Sequence, residues 1–218
     1  ASVTSPICED ALNMVGCNVP GPTEILAHRT KSRRVAMMFA APQLHVVLAT
    51  IHIPLMDIRK KLTIGCVFDP IDLGHQACLK LGIRKPRIAV CGLNPHASEN
   101  GQFGDEEERI ITPAIDMARQ PGIDAHGPFP GDTIFMDAVK GRFDLVVAMY
   151  HDQGLIPVKL LAFDDAVNLT LGLPIIRTSP DHCTAFDIVG KNKANPGSMK
   201  AAIRLEAQMA LGDGTASG

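Results

Sequence analysis

The sequence predicts an α/β fold with a mainly parallel sheet and flanking helices. Two continuous apolar runs, residues 87–93 (RIAVCGL) and 143–151 (FDLVVAMYH), read as strands covered on both faces. Helical patterns separate them, and 19 Gly and 16 Pro punctuate the 218 residues as alternating short elements require.

The chain opens with SVT, the end of a strand, followed by a helical pattern with Ala11, Leu12, Met14 and Val15 as its apolar members. Residues 34–42 (RVAMMFAAP) and 44–52 (LHVVLATIH) are β-rich and separated by a proline-bearing turn, which predicts adjacent strands. Residues 56–82 have helical spacing with a break expected around Asp69-Pro70. The run Asp105, Glu106, Glu107, Glu108 followed by Ile110, Ile111, Ala114, Ile115 and Met117 predicts a helix start over residues 104–120, where carboxylates meet the positive end of the helix dipole. Residues 169–178 form a further strand candidate, residues 198–211 an amphipathic closing helix, and residues 212–218 (GDGTASG) a frayed tail.

Composition narrows the function classes. With 21 Lys+Arg against 23 Asp+Glu the net charge is −2, which gives no basis for nucleic-acid or anionic-membrane binding. Eight Phe, one Tyr and no Trp leave few platforms for stacking single-stranded bases. No apolar run reaches 18 residues and no leader pattern is present, so neither a transmembrane nor a secreted protein is expected. The six cysteines form no C-x-x-C pair and several lie in apolar surroundings, which fits reduced thiols in a cytoplasmic protein.

The candidate functional residues share the C-terminal ends of buried strands, where ligands of open α/β sheets collect. His52 ends residues 44–52, His96 follows residues 87–93, and His151 with Asp152 ends residues 143–151. Each alone reads as a structural histidine. Three at successive strand ends point to a divalent-metal site, because neutral imidazole is a good zinc ligand. His28, His45, His75 and His126 (the last in a Gly/Pro-rich loop) lack that placement, and His182 beside Asp181 is an open candidate. Lys159, Asn168 and Arg177 recur at nine-residue intervals and offer two cations and an amide for a phosphate or carboxylate, or are ordinary surface residues. There is no G-x-G-x-x-G, Walker loop, H-E-x-x-H or G-x-S-x-G.

The segments GLNPHASENGQFGDEE, GPFPGDTIF, AMYHDQGLIPVK and NLTLGLPIIRTSPDHCTAFDIVGK, in this order, resemble the 4-hydroxythreonine-4-phosphate dehydrogenase family of vitamin B6 biosynthesis. The resemblance covers nearly the whole chain. It implies an isocitrate/isopropylmalate-dehydrogenase-like fold that binds NAD (or NADP) without a Rossmann fingerprint. It also implies a divalent metal, zinc before magnesium or cobalt, on His52, His96 and His151, and substrate binding by Thr23, Lys159, Asn168 and Arg177. The family is a homodimer with a shared active site whose metal ligands come from both chains, acting on a small phosphorylated substrate. Hydride transfer is followed by decarboxylation. Asp132 and Asp152 are candidates for proton transfer, or for structural turns and caps.

Several positions depart from the family pattern. Pro22 stands in GPTEILA where the family has a substrate-touching histidine, Glu9 where a lysine is common, and Cys183 where a glycine follows His182. The family's N-terminal region is not part of this sequence, which implies a piece of a larger two-domain enzyme. The division expected is a cofactor-domain remnant at 1–14, a metal-binding and dimerisation domain at 15–158, and a C-terminal cofactor/substrate part at 159–218. The alternatives are a sister-group dehydrogenase of four-carbon phosphorylated sugar acids or of a cis-dihydrodiol, a non-catalytic metal- or phosphate-binding homologue, and a phosphate acyltransferase.

Overall fold

The computed structural model describes residues 1–14, 16, 21–181 and 184–211, without the side chains of Glu9, Asp10 and Asn13. The candidates His182 and Cys183, the side chain of Glu9 and the 212–218 tail lie outside the described residues.

The strands are β1 (Ser2–Val3), β2 (Ala36–Ala41), β3 (Leu44–Leu48), β4 (Arg87–Cys91), β5 (Asp124–Phe129), β6 (Leu145–Ala148), β7 (Val167–Leu171) and β8 (Arg177–Pro180). They form one sheet in the order β1-β8-β7-β2-β3-β6-β4-β5. The pairs β1–β8, β3–β6, β6–β4 and β4–β5 are parallel, whereas β2–β3, β2–β7 and β7–β8 are antiparallel. All of the segments expected as 1–14, 15–158 and 159–218 contribute strands to this sheet.

Alternation along each strand sends side chains to two separate cores, which is why these runs are apolar throughout. Met38, Val47, Ile88, Val90, Leu145 and Val147 face one layer with Val67, Ile71, Ile111 and Ile115. Met37, Phe39, Val46, Leu48, Ala89 and Val146 face the other with Ile134, Leu155 and Val158. The first layer holds α4 (Ile64–Lys80) and α5 (Thr112–Arg119), which follow α1 (Glu9–Met14), α2 (Pro22–Thr30) and the short α3 (Ile58–Lys61). The second holds α6 (Ile134–Val139) and α7 (His151–Ala162), and α8 (Gly197–Leu211) packs against β8. No helix among the described residues is long and apolar enough to cross a membrane.

Four local expectations are corrected. The break in residues 56–82 lies at Leu62 and Thr63, not at Pro70. Leu62 turns extended, and the Thr63 hydroxyl caps a new helix by accepting from Cys66 N at 3.2 Å. Pro70 sits buried inside α4, where its missing donor is tolerated. Residues 169–178 are two strands, because Gly172 (φ +83) turns β7 back onto β8, with Leu169 opposite Thr178. Residues 104–120 start as a π turn over Glu107–Ile111 before α5. His126 lies on the edge strand β5 rather than in a loop.

Gly172 also packs against the carbonyl of Arg34, leaving no space for a Cβ. Gly172→Ala is expected to destabilise the fold by about 1–3 kcal/mol through left-handed strain and backbone collision. Thermal melting reads this as a drop of several degrees.

Candidate functional site

Strands β3, β6, β4 and β5 run in the same direction, so the loops after their C-terminal ends open on one side of the sheet. His52 follows β3, His96 follows β4, Asp132 follows β5, and His151 begins α7 after β6. The nine candidate residues divide between two clefts there and the ridge dividing them.

The first cleft, about 540 Å³, is lined by Thr23, His52, Lys159, Asn168 and Arg177, with Cys8, Pro22 and Asp181 beside them. Arg177 is 4% exposed. Its Nε and Nη2 donate to Thr4 Oγ1 at 3.1 and 2.8 Å, and its Nη1 donates to Thr170 Oγ1 at 3.0 Å. Among the described residues no carboxylate lies within ion-pair distance of it. Burial pushes the Arg177 pKa down, opposed by the charge of Glu24. A desolvated guanidinium held only by hydroxyls is a strong attractor for an incoming anion. Among the described residues Asn168 Oδ1 is buried without a hydrogen-bond partner, and Lys159 Nζ stands 3.8 Å from Asp181. Thr23 Oγ1 lies 3.5 Å from Thr170 Oγ1, which links α2 to the same cluster.

The second cleft, about 580 Å³, is lined by His96, Asp132 and Asp152, together with Asn94, Tyr150, Gln153, Ile156 and Leu160. His151 stands on the ridge. Its ring centroid is 5.8 Å from that of His52, and its Nδ1 is 2.7 Å from Asp152 Oδ1. A carboxylate only accepts, so in the neutral ring this contact places the proton on Nδ1 and leaves Nε2 its lone pair for a metal.

The structure therefore brings His52 and His151 together and leaves His96 apart, its ring 6.1 Å from that of Phe103. Among the described residues no group of three His, Cys, Asp or Glu side chains is gathered to hold a metal ion. His96 sits on a left-handed turn in which His96, Ala97, Ser98, Glu99 and Asn100 all have positive φ. Such a run costs about 1–2 kcal/mol per residue and needs strong anchors.

The anchors are Glu106 and Glu107, 2% and 3% exposed. Glu107 Oε1 accepts from the backbone N of Leu93 and of Asn94, both at 2.7 Å. The Asn94 side-chain amide donates to Glu106 and Glu107 at 2.8 and 2.9 Å, and Arg59 Nε is 2.6 Å from Glu106. Burial alone would raise the Glu106 pKa; the bonds from Asn94 and the backbone, with the charge of Arg59, more than offset it and hold the pKa below the usual glutamate value. The sequence reading assigned these carboxylates to a helix dipole and missed their part in the site. It also missed Thr4, Thr170 and Gln153. The signal for Glu107 and Gln153 was their place inside the GDEE and YHDQG motifs.

The mainly parallel sheet covered by helices on both faces places the chain in the isocitrate/isopropylmalate-dehydrogenase-like class of folds. A crystal structure of a β-decarboxylating dehydrogenase from Thermococcus kodakarensis shares the fold at a TM-score of 0.52 and 13% identity. Within that class the chain belongs to the pyridoxal phosphate biosynthetic protein PdxA family, whose model matches residues 1–206. It is 53% identical over its full length to a 4-hydroxythreonine-4-phosphate dehydrogenase of Geobacter metallireducens, of which it covers 64%. It is 50% identical over 210 residues, 96% of the chain, to a D-threonate 4-phosphate dehydrogenase of Salmonella typhimurium, again covering 64%. The 1.25 Å crystal structure of a 4-hydroxythreonine-4-phosphate dehydrogenase from Klebsiella pneumoniae matches with a TM-score of 0.86 at 47% identity. That match covers 95% of this chain and 63% of the other. The chain thus spans just under two-thirds of the length of these relatives.

Removing the Glu107 carboxylate strands two half-buried N–H donors, a cost of about 1 kcal/mol each. Glu107→Ala is expected to speed amide exchange across residues 93–101 at least tenfold while β2 and β7 keep their protection. Mass-spectrometric exchange checks this.

Proposed function

We propose that this chain carries the metal- and anion-binding part of an NAD- or NADP-dependent dehydrogenase acting on a phosphorylated hydroxy acid such as 4-phosphohydroxy-L-threonine. The observation that carries it is the convergence of Thr23, Lys159, Asn168 and the buried Arg177 on one cleft with His52, next to His151. The paired imidazoles, one of them oriented by a carboxylate, fit zinc first and magnesium or cobalt less well. A divalent ion held by His52 and His151 would supply Lewis-acid polarisation of the substrate hydroxyl, and a bound dinucleotide would supply the hydride acceptor. A cavity of about 610 Å³ lined by Phe163, Ile188, Val189 and Lys193 shares Lys159, Asp181 and Thr184 with the first cleft and has room for a dinucleotide's ring.

The chain's own residues do the rest. Arg177 and Lys159 hold the substrate's anionic groups, and Asn168 Oδ1 accepts from a substrate hydroxyl or amine. Asp152 keeps His151 in the ligating tautomer. Asp152 and Asp132 stand at the strand ends as the groups that hold or move a proton. Two copies would complete the site, with His96 supplied across a homodimer interface. The exposed Ile156 and Leu160 beside the second cleft are suited to that interface, Leu160 being 81% exposed. The D-threonate 4-phosphate relative supports a second reading in which a hydroxyl replaces the substrate amine.

Zinc titration and dinucleotide reduction test the reading with phosphorylated hydroxy acids, their dephosphorylated forms and a cis-dihydrodiol. Stoichiometric zinc is expected, with His52→Ala and His151→Ala each weakening it a hundredfold or more. No stoichiometric zinc, in this chain or one extended at the N-terminus, would remove the histidine site. Metal without turnover in both marks a binding-only homologue, and acetyl-phosphate formation marks an acyltransferase.

Arg177→Met is expected to weaken phosphorylated-substrate binding about 10- to 100-fold, as for loss of a charge-assisted bond of ~1.5–3 kcal/mol. It should leave zinc affinity near the parent value. Asp152→Asn should lower turnover, and activity within twofold of the parent would take Asp152 out of the mechanism.

A further inference from the structure

We infer that Gln153 is a positioning residue that locks the two clefts together, fixing with one amide both the helix turn that carries His151 and the loop that leads to His96. The inference deepens the metal reading above. Gln153 is the third residue of α7, after His151 and Asp152. Its Oε1 accepts from the backbone N–H of Met149 at 2.7 Å, and its Nε2 donates to the carbonyl of Gly92 at 2.9 Å.

A third-position amide reaching back ahead of its helix resembles one half of a capping box. At this helix the N-cap residue, Tyr150, makes no side-chain capping bond, and Gln153 closes the turn instead. Met149 and Gly92 are the first residues after β6 and β4. The amide thus joins a donor and an acceptor just where the parallel ladder between those strands stops.

Two glycines show how closely the neighbouring segments rest on this arrangement. A Cβ on Gly131, directly before Asp132, would stand 2.7 Å from Gln153 Nε2. A Cβ on Gly92 would stand 2.8 Å from the Cα of Ala97, the neighbour of His96. Gln153 therefore reaches, directly or through Gly92, the segments that present His151, Asp152, Asp132 and His96. The fork needs one acceptor and one donor at its tip. Glutamate would keep the acceptor for Met149 and turn a second oxygen on the Gly92 carbonyl, and methionine of similar length would keep neither bond.

Zinc titration and amide exchange on the parent, Gln153→Met and Gln153→Glu test this. Gln153→Met is expected to bind zinc about tenfold more weakly, because the turn that carries His151 loses both bonds that pin it to Met149 and Gly92. Its exchange across residues 92–98 should rise at least tenfold, with β2 and β7 unchanged. Gln153→Glu should show the faster exchange at 92–98 while the Met149 amide keeps its protection. Parental zinc affinity in a folded Gln153→Met protein, or parental exchange at 92–98 in both variants, overturns the inference. Zinc binding that ignores His52→Ala overturns the histidine-pair reading instead, and the exchange comparison then decides the role of Gln153 by itself.

Discussion

A strand covered on both faces has no place along its length for a charged side chain, because burying one without a partner costs several kcal/mol. In β3, β4 and β6 this constraint fills every inward and outward position with Val, Ile, Leu, Ala or Cys, apart from His45 and Arg87 at strand starts. Chemistry is displaced to the ends, and parallel direction gathers the ends on one side. His52, His96 and His151 are where they are because the strands before them are buried on both faces and apolar along their length.

The same constraint made much of the fold legible. Runs such as FDLVVAMYH can hardly be anything except buried strands, and polar residues closing them announce a site. What stayed hidden depended on partners distant in sequence. Whether residues 169–178 are one strand or two turns on the space left beside Gly172 by Arg34, which no local pattern reports. Pro70 looked like a break because propensity punishes proline, yet burial within α4 holds it. The acidic run 105–108 was read by charge alone. Two of its members are buried acceptors for Asn94 and the strand-end backbone, a role that appears only when the turn ahead of α5 closes on the loop after β4.

The candidate site was legible residue by residue but not in its grouping. All nine residues line or flank two adjacent clefts. Sequence order cannot say that His96 stands apart from the pair His52 and His151, since that depends on the hand of a five-residue turn. Arg177 shows a related limit. Its type and position suggested an anion site, but its strength as one comes from Thr4 and Thr170, neutral groups that satisfy the guanidinium without discharging it.

The sheet has unlike borders. At one side β5 is broken by Gly127 and Pro128, and proline offers no amide to a further strand. At the other, β1 contributes only Ser2 and Val3, laid parallel to β8. The β1 border also holds Thr4 against Arg177, while the β5 border lacks one amide at Pro128. A strand laid against β1 would therefore bear on the anion cleft before it bears on the histidine pair.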